Sequence, residues 1–199
     1  MDENEQRANE ILEIKLNAAK DLTISKEMLQ AINKIAEVKG TNGRIITTGM
    51  GKAGIIAYKM SATMSSIGLP SFYVDPAAAA HGDIGRIMSD DLIIVFSNSG
   101  NTNEVVKMIT ALNLLNSGKN YVITIGGNDN PRIPSNLVIS YGKLTESCVV
   151  SKVPSTSTTI MLMIADILSI TASESLGLDD SWFKARHPGG VIGAAYKSK

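Results

Sequence analysis

The sequence lacks several features that mark particular classes of protein. Cys148 is its single cysteine, which excludes an intramolecular disulfide and a zinc cluster built on cysteines. Its 19 Lys and Arg residues balance 19 Asp and Glu residues, so no net positive charge attracts nucleic acid or an anionic membrane. No run of 18 apolar residues occurs, and residues 1–5 lack the apolar stretch of a secretion signal. We therefore expect a cytoplasmic protein with no nucleic-acid or membrane partner.

Histidine is also scarce, whereas the apolar content is high. The two histidines, His81 and His187, both stand in loop-like segments, so any histidine chemistry falls on one of them. Hydrophobic residues make up 44% of the 199 residues, which is ample for a sizeable core without disulfide or metal staples. A single domain over residues 1–199 is therefore predicted.

Apolar periodicity predicts an alternation of helices and short strands. One amphipathic helix is predicted over residues 5–22, and a second follows Ser25 as a helix cap and ends near Lys39. Further along, strands are predicted at 44–48, 71–74, 92–96, 121–125 and 137–140, and helices at 55–67, 101–116 and 156–176. The last helix is apolar nearly all round, so we expect a subunit interface to cover its second side.

Strands that alternate with helices favour a parallel sheet covered by helices on both faces. We predict an α/β fold, a three-layer α/β/α sandwich with a five-stranded parallel sheet in the flavodoxin-like order 2-1-3-4-5. Residues 1–39 should pack as N-terminal helices on a core formed by residues 40–195. In this order the sheet reverses between its first and third strands, and ligands bind in the crevice at that reversal.

The loop after the third strand has the composition of a phosphate site. Five apolar residues, 92–96, run directly into hydroxyl and amide side chains and then into a helix. The candidate substrate-binding residues of this loop are Ser97, Asn98, Ser99 and Thr102. Their side chains and the backbone N–H groups at a helix start suit an anion, although a capped helix with nothing bound has the same pattern.

The loop after the first strand opens at the same reversal. Its Gly49-x-Gly51-x-x-Gly54 spacing also matches the dinucleotide fingerprint, with Asp75 near the expected position of the acid that binds ribose. A dinucleotide has no use for a second phosphate loop, and a tight strand-to-helix turn needs the same glycines, so an NAD site is the weaker hypothesis. Lys52 opposes the helix dipole in this loop, which indicates an anion nearby.

Further candidates stand at two helix starts. Glu104 shares a helix start with the expected phosphate, which is unfavourable unless its carboxylate has a chemical task such as abstracting a carbon-bound proton. Ser155 and Thr156 follow Pro154 and open the last helix with hydroxyls. These hydroxyls either cap the helix or contact the phosphate.

A zinc site is the remaining alternative at the level of residue types. His81 with Asp83, Glu146 or Asp75 supplies suitable ligand types, but no His-x-x-x-His or similar spacing occurs. No metal is therefore predicted. Covalent catalysis is also disfavoured, because the sequence has no Gly-x-Ser-x-Gly elbow.

Five short motifs occur together in this chain. In order, they are Gly49-Met50-Gly51-Lys52, Ala80-His81-Gly82-Asp83, Ser97-Asn98-Ser99-Gly100, Pro154-Ser155-Thr156-Ser157-Thr158-Thr159 and His187-Pro188-Gly189-Gly190. In this order and spacing they resemble the sugar isomerase (SIS) domain of arabinose 5-phosphate isomerases, over residues 40–195. The resemblance implies a SIS domain that binds a small-molecule phosphosugar without a cofactor, in a homotetramer built as a dimer of dimers.

The resemblance also implies roles for individual residues. The catalytic set falls on Lys52, Glu104, Glu146 and His187, and the substrate-binding set on Gly49, Gly51, His81, Ser97, Asn98, Ser99, Thr102, Ser155 and Thr156. The implied reaction converts D-ribulose 5-phosphate to D-arabinose 5-phosphate through an enediolate. Glu104 would move the proton between neighbouring carbons while Lys52 offsets the charge on oxygen. His187, from the same or a neighbouring subunit, would open the cyclic sugar with Glu146 orienting it.

The chain departs from that family in three places. Relatives commonly continue into tandem CBS domains, whereas this sequence ends at Lys199, so no regulation through such domains is expected. Ala53 stands where serine is common, and Asp75 replaces a histidine sometimes found near metal. Two alternatives stay open. One is a non-catalytic sugar-phosphate sensor, which would need the phosphate loops but not the catalytic set, and the other is an isomerase of a different phosphosugar.

Overall fold

The computed structural model describes residues 2–150, 152–187 and 189. Its helices are α1 Glu3–Asp21, α2 Lys26–Val38, α3 Lys52–Ser66, α4 Pro76–Ala79, α5 Asn103–Leu115, α6 Thr156–Ser175 and α7 Asp180–Arg186, with a 3₁₀ turn at Asp83–Arg86. Its strands are β1 Ile45–Gly49, β2 Ser71–Tyr73, β3 Leu92–Phe96, β4 Tyr121–Gly126 and β5 Leu137–Ser140. Each predicted strand is present, with its bounds within one residue of the prediction.

The strands form one parallel sheet in the order β2-β1-β3-β4-β5, as predicted. Helices α2, α3 and α6 pack on one face and α4 and α5 on the other, which confirms the three-layer sandwich. The strands β1, β3 and β4 are paired out to their carboxyl ends, where Gly49 lies beside Phe96 and Phe96 beside Ile125. The loops after β1 and β3 therefore open next to each other, at the reversal of the strand order.

Each face of the sheet buries its own apolar cluster, and β3 contributes to both. Ile94 and Phe96 belong to the cluster beneath α2, α3 and α6, whereas Ile93 and Val95 belong to the one beneath α4 and α5. Burial on both faces accounts for the unbroken apolar run of this strand. The phosphate loop thus leaves a fully buried strand, which fixes the position where the loop begins.

The turn from β1 into α3 depends on close backbone packing at glycines. Helix α3 begins at Lys52, three residues earlier than predicted, directly after Gly51 with a φ of 60°. A Cβ at Gly49 would lie 2.8 Å from the Phe96 carbonyl oxygen, and one at Gly54 would lie 2.5 Å from the Gly49 oxygen. The tight strand-to-helix turn therefore accounts for the glycine spacing without a dinucleotide.

Three short elements, α4, the 3₁₀ turn and α7, are not predicted, because each is too short to give an apolar period. Asp75 caps α4 by accepting hydrogen bonds from the N–H groups of Ala77 and Ala78, at 2.7 and 3.3 Å. Pro76 then occupies the first turn of this helix, where it needs no donor. The Asp75 carboxylate is thus engaged as a helix cap, which removes the acid from the dinucleotide hypothesis.

Among the described residues, α6 is the one helix long and apolar enough to cross a membrane by length and composition alone. However, 56% of this stretch is buried inside the fold, where α6 packs against α1, α2 and α3. Helices of the same chain therefore cover much of α6, and the subunit interface expected at its remaining surface stays a prediction. This burial is the behaviour of a core helix.

Candidate active site

The loop after β3 is held in shape by its own hydroxyl groups. The hydroxyl oxygens of Ser97 and Thr102 lie 3.0 Å apart, and Ser97 Oγ also accepts a hydrogen bond from the N–H of Gly100 at 3.2 Å. Ser99 Oγ accepts one from the N–H of Asn101 at 3.1 Å. These bonds bend the backbone into an open turn at the start of α5. The structure therefore brings the predicted phosphate residues of this loop together.

A cavity of about 210 Å³ lies where this loop meets the starts of α3 and α6. Its polar lining consists of Lys52, Ser97, Asn98, Ser99, Thr102, Ser157 and Thr158. The loops after β1 and β3 thus line one cavity, as predicted, and Lys52 supplies its cation. The predicted residues Gly49 and Gly51 shape the turn but do not line this cavity.

Ser157 is a lining residue that the sequence analysis missed. It is 1% exposed, and its Oγ and that of Ser71 are the two buried side-chain polar atoms without a hydrogen-bond partner in the described part of the chain. A buried hydroxyl left unpaired costs about 1–3 kcal/mol, so native proteins usually give such groups a partner. An anion in the cavity would be that partner for Ser157.

Glu146 occupies the N-terminus of α6. Its Oε2 accepts hydrogen bonds from the N–H groups of Ser155 and Thr156 at 2.7 Å each and of Ser157 at 3.3 Å, and from the Ser155 hydroxyl at 3.0 Å. Partial burial opposes ionisation, but the polar groups of Ser157 and Ser155 that face the carboxylate lower the pKa of Glu146 below its ordinary value. Glu146 is therefore an ionised cap on α6.

The predicted substrate contacts Ser155 and Thr156 face this cap and its neighbour. Both of their hydroxyl oxygens accept hydrogen bonds from the N–H of Ser147, at 3.0 and 3.1 Å, and Thr156 is 0% exposed. Neither residue lines the 210 Å³ cavity. Of the hydroxyl run that opens α6, the structure instead places Ser157 and Thr158 at the cavity.

A wider cavity of about 670 Å³ adjoins the first and shares Asn98, Ser99 and Pro154 with it. Glu146 also lines this space. Asn98 is oriented there by the Tyr141 hydroxyl, which donates to its Oδ1 at 2.7 Å. Burial and the nearby Glu146 charge raise the pKa of Tyr141, so this hydroxyl remains a donor.

His81 and Glu104 line a third cavity, of about 480 Å³, on the α4–α5 side of the sheet. Most of its other lining residues are apolar. Glu104 lies in the first turn of α5, two residues after Thr102 of the phosphate loop. The structure therefore places these two predicted residues together and beside the phosphate loop, but Lys52 lies in a separate cavity of the single chain.

His187 lies towards the amino-terminal ends of the strands, at the opposite end of α3 from Lys52. It follows α7, with its ring stacked on Phe183 at a centroid distance of 3.8 Å and its Nδ1 2.7 Å from the Phe183 carbonyl oxygen. Helix α7 packs through Trp182 against Gly68, because a Cβ added at Gly68 would lie 3.1 Å from the indole ring. Gly68 follows the C-terminal end of α3, about 22 Å along the helix from Lys52. One chain therefore does not bring His187 to the phosphate cavity.

The orientation of His187 by Glu146 is likewise not seen within one chain, because Glu146 is engaged at the start of α6. The neighbouring motif residues Pro188 and Gly190 lie outside the described residues. Among the residues that the structure describes, no group of three or more His, Cys, Asp or Glu side chains could hold a metal ion.

The family profile of the SIS domain matches residues 40–165. The chain belongs to the SIS domain family. The family resemblance found in the sequence motifs is thus confirmed, and so is the predicted fold of this SIS domain.

Curated relatives of this SIS domain include arabinose 5-phosphate isomerases. KdsD of Pseudomonas aeruginosa is 38% identical over 154 residues, which are 76% of this chain and 46% of the relative. KpsF of Escherichia coli is 38% identical over 179 residues, which are 89% of this chain and 54% of the relative. The chain therefore spans about half the length of the curated relatives it matches.

Solved structures show the same architecture over nearly the whole chain. A Bacteroides fragilis protein assigned as a phosphosugar isomerase involved in capsule formation has a TM-score of 0.88 at 34% identity, covering 93% of this chain and 97% of its own. The E. coli CFT073 protein c3406, solved in complex with arabinose 5-phosphate, has a TM-score of 0.83 at 29% identity, covering 94% of this chain and all of its own. Both of these proteins therefore share the SIS fold with this chain.

Proposed function

We propose that this SIS domain is a cytoplasmic aldose–ketose isomerase that converts D-ribulose 5-phosphate to D-arabinose 5-phosphate through an enediolate. The observation that carries the proposal is the 210 Å³ cavity, where Lys52, the loop hydroxyls and the unpaired Ser157 hydroxyl line one space. The similarity to arabinose 5-phosphate isomerases, and to a structure in complex with arabinose 5-phosphate, supports the choice of substrate.

The substrate phosphate binds at the start of α5. Neither Gly51 nor Thr102 makes a side-chain cap bond, so the N–H groups at the starts of α3 and α5 remain available to an anion. The hydroxyls of Ser97, Ser99 and Ser157 add donors. Binding energy from this remote group holds the reacting carbons in place without itself changing the chemistry.

Glu104 carries the proton in this proposal. Its position in the first turn of α5, two residues after Thr102, supports a role for this carboxylate near a sugar whose phosphate is held by the loop, although it lines a different cavity from Lys52 in the single chain. Glu104 removes a proton from C1 or C2 and returns it to the neighbouring carbon. The Lys52 ammonium group offsets the negative charge that develops on the enediolate oxygen.

A second copy of the chain completes the site. His187 lies towards the opposite end of α3 from Lys52 in its own chain, so in this proposal it reaches a phosphate cavity by crossing to a neighbouring subunit. There it opens the cyclic aldose by proton transfer through its imidazole ring. We propose that this exchange takes place in a homotetramer built as a dimer of dimers.

Incubation with D-ribulose 5-phosphate tests the proposal, with the products resolved from ribose, xylulose and hexose phosphates. We expect D-arabinose 5-phosphate to form without added metal or nucleotide cofactor. E104Q should reduce turnover by about 100-fold or more while phosphate binding persists, because it removes a general base. Near-complete turnover by E104Q would assign the proton transfer to another residue.

Saturable binding of pentose phosphates without turnover of any ketose phosphate would overturn the isomerase proposal and favour a sugar-phosphate sensor. Turnover of a different ketose phosphate would retain the isomerase and change its substrate. Thermal stabilisation by NAD(P), with none by any pentose phosphate, would instead favour the nucleotide-binding hypothesis.

A further inference from the structure

Helix α1 contacts the active-site segment through two cationic side chains. The Lys15 ammonium group donates to the Ser155 carbonyl oxygen at 3.0 Å and to Thr159 Oγ1 at 2.8 Å. The Arg7 guanidinium group donates to the Ser147 carbonyl oxygen. No residue of α1 is fully buried, and Ala18 and Ala19 pack against the core near the end of the helix. The two cationic contacts attach α1 to the domain at further points along its length.

The Lys15 contacts fall on both sides of the two α6 residues that line the phosphate cavity. Ser155 precedes α6 and Thr159 lies in its first turn, whereas Ser157 and Thr158 lie between them and line the cavity. Lys15 therefore fixes the backbone before this pair and the side chain after it. A shift of the first turn of α6 would move both cavity hydroxyls together.

The number of donors to the Ser155 carbonyl oxygen gives Lys15 a second effect. This oxygen accepts from Lys15, and also from the hydroxyls of Thr158 and Thr159 at 3.0 Å each. A carbonyl oxygen has two lone pairs, so three side-chain donors exceed its capacity. With Lys15 and Thr159 in place, the Thr158 hydroxyl is free to turn its proton towards a ligand at little cost.

Charge adds to the same effect. The N–H of Ser155 donates to the Glu146 carboxylate while the carbonyl of the same residue accepts from Lys15. One residue thus separates the ammonium group from the carboxylate that caps this end of α6. Lys15 offsets a negative charge that would otherwise repel a phosphate in the adjoining cavity.

We propose that Lys15 is a positioning residue for phosphosugar binding, which acts through Ser155 and Thr158 from a helix outside the phosphate loops. The inference rests on the proposed function for its ligand. It assigns α1, which lies before the family-matched residues 40–165, a part in the active site.

Three variants test this role. K15M removes the charge and the donors, K15R keeps both, and K20M makes the same chemical change at an exposed lysine on the same helix. For K15M we expect the KM for D-ribulose 5-phosphate to rise about 5- to 30-fold, the factor set by one or two kcal/mol, with kcat changed less than about twofold. K15R should recover most of the wild-type KM, and K20M should match the wild type.

A KM for K15M equal to that of K20M would overturn the inference, and so would a loss confined to kcat. Binding of inorganic phosphate, measured by calorimetry on the same variants, separates this result from failure of the proposed function. If the wild type turns over no ketose phosphate but binds phosphate, a weaker affinity in K15M alone supports the positioning role. Equal phosphate affinity in K15M and K20M refutes it.

Discussion

Removal of the Ser157 hydroxyl should weaken phosphate binding without weakening the fold. This group is 1% exposed and has no partner at hydrogen-bond distance, although it faces the Glu146 carboxylate and helps to lower its pKa. S157A therefore removes a weak electrostatic contact and no direct hydrogen bond, and we expect the free energy of unfolding to change by less than about 1 kcal/mol. The variant thus avoids the usual cost of deleting a buried serine hydroxyl.

The effect on ligand binding is larger. A hydrogen bond from a neutral donor to a charged group contributes about 1.5–3 kcal/mol, so S157A should raise the dissociation constant for phosphate or arabinose 5-phosphate about 10- to 100-fold. Only a ligand in the 210 Å³ cavity makes this bond, because Ser157 lines that space. The gain in unfolding free energy on adding ligand, compared between S157A and the wild type, therefore reports whether the phosphate lies in this cavity.

S71A is a matched control for this measurement. Ser71 has the other unpaired buried hydroxyl among the described residues, and it lies at the start of β2, whereas the cavity lies at the carboxyl ends of the strands. Urea unfolding without ligand should show both variants within about 1 kcal/mol of the wild-type stability. Ligand-dependent stabilisation should fall in S157A alone.

Two results would refute this reasoning about Ser157. Unchanged phosphate affinity in S157A would place the anion elsewhere. A loss of unfolding free energy above about 1 kcal/mol in S157A that is absent in S71A would mean that the hydroxyl already has a partner in the free protein.

Three further predictions concern the turn, the cap and the assembly. G49A should destabilise the protein by about 1–3 kcal/mol in urea unfolding, because its Cβ meets the Phe96 carbonyl, whereas G85A, with nothing within 4 Å, should not. Folding lowers the Glu146 pKa, so the ionised carboxylate stabilises the folded state at pH values above its unfolded pKa of about 4.3. This contribution to the free energy of unfolding is lost as the pH falls through the folded pKa. E146Q should therefore lose less thermal stability than wild type on acidification. An equimolar mixture of inactive K52M and H187A should recover about a quarter of wild-type activity if His187 crosses subunits, and none if it does not.

The phosphate loops could be predicted from the sequence because their positions follow from strand order alone. An unbroken apolar run such as Leu92–Phe96 identifies a strand buried on both faces, and parallel strands in the order 2-1-3-4-5 bring two particular loops together. Lys52 and Ser97 meet for this reason. No long-range side-chain contact had to be known.

The hydroxyl run at the start of α6 could not be resolved in the same way. Five consecutive residues from Ser155 carry hydroxyls, and the face that each presents depends on where the helix begins and how it is rotated. Glu146 sets both by binding three N–H groups of the first turn. The sequence does hold a capping carboxylate, but it lies nine residues before Ser155, outside any local capping pattern.

His187 shows a different limit of sequence analysis. Its motif predicts it as a site residue, but its distance from Lys52 depends on where the short helix α7 packs. Trp182 decides this by packing against Gly68 and against the Lys39 ammonium group, which lies 4.1 Å from its ring centroid. Such contacts leave no periodic signal in the sequence. In a single chain, a residue that acts in the site of a neighbouring subunit lies far from the other residues of that site.

Three helices begin at the phosphate cavity, and the structure treats their N-termini differently. The starts of α3 and α5 carry no side-chain cap, whereas Glu146 neutralises the start of α6. The Glu104 carboxylate lies in the first turn of α5 but lines a different cavity, so two uncapped helix ends and the Lys52 ammonium group are the positive features at this one. This balance favours the proposed phosphate position beneath α5 over one at α6, although α6 has the longer run of hydroxyls. An anion bound there would also offset the unfavourable interaction of Lys52, at the first position of α3, with the helix dipole.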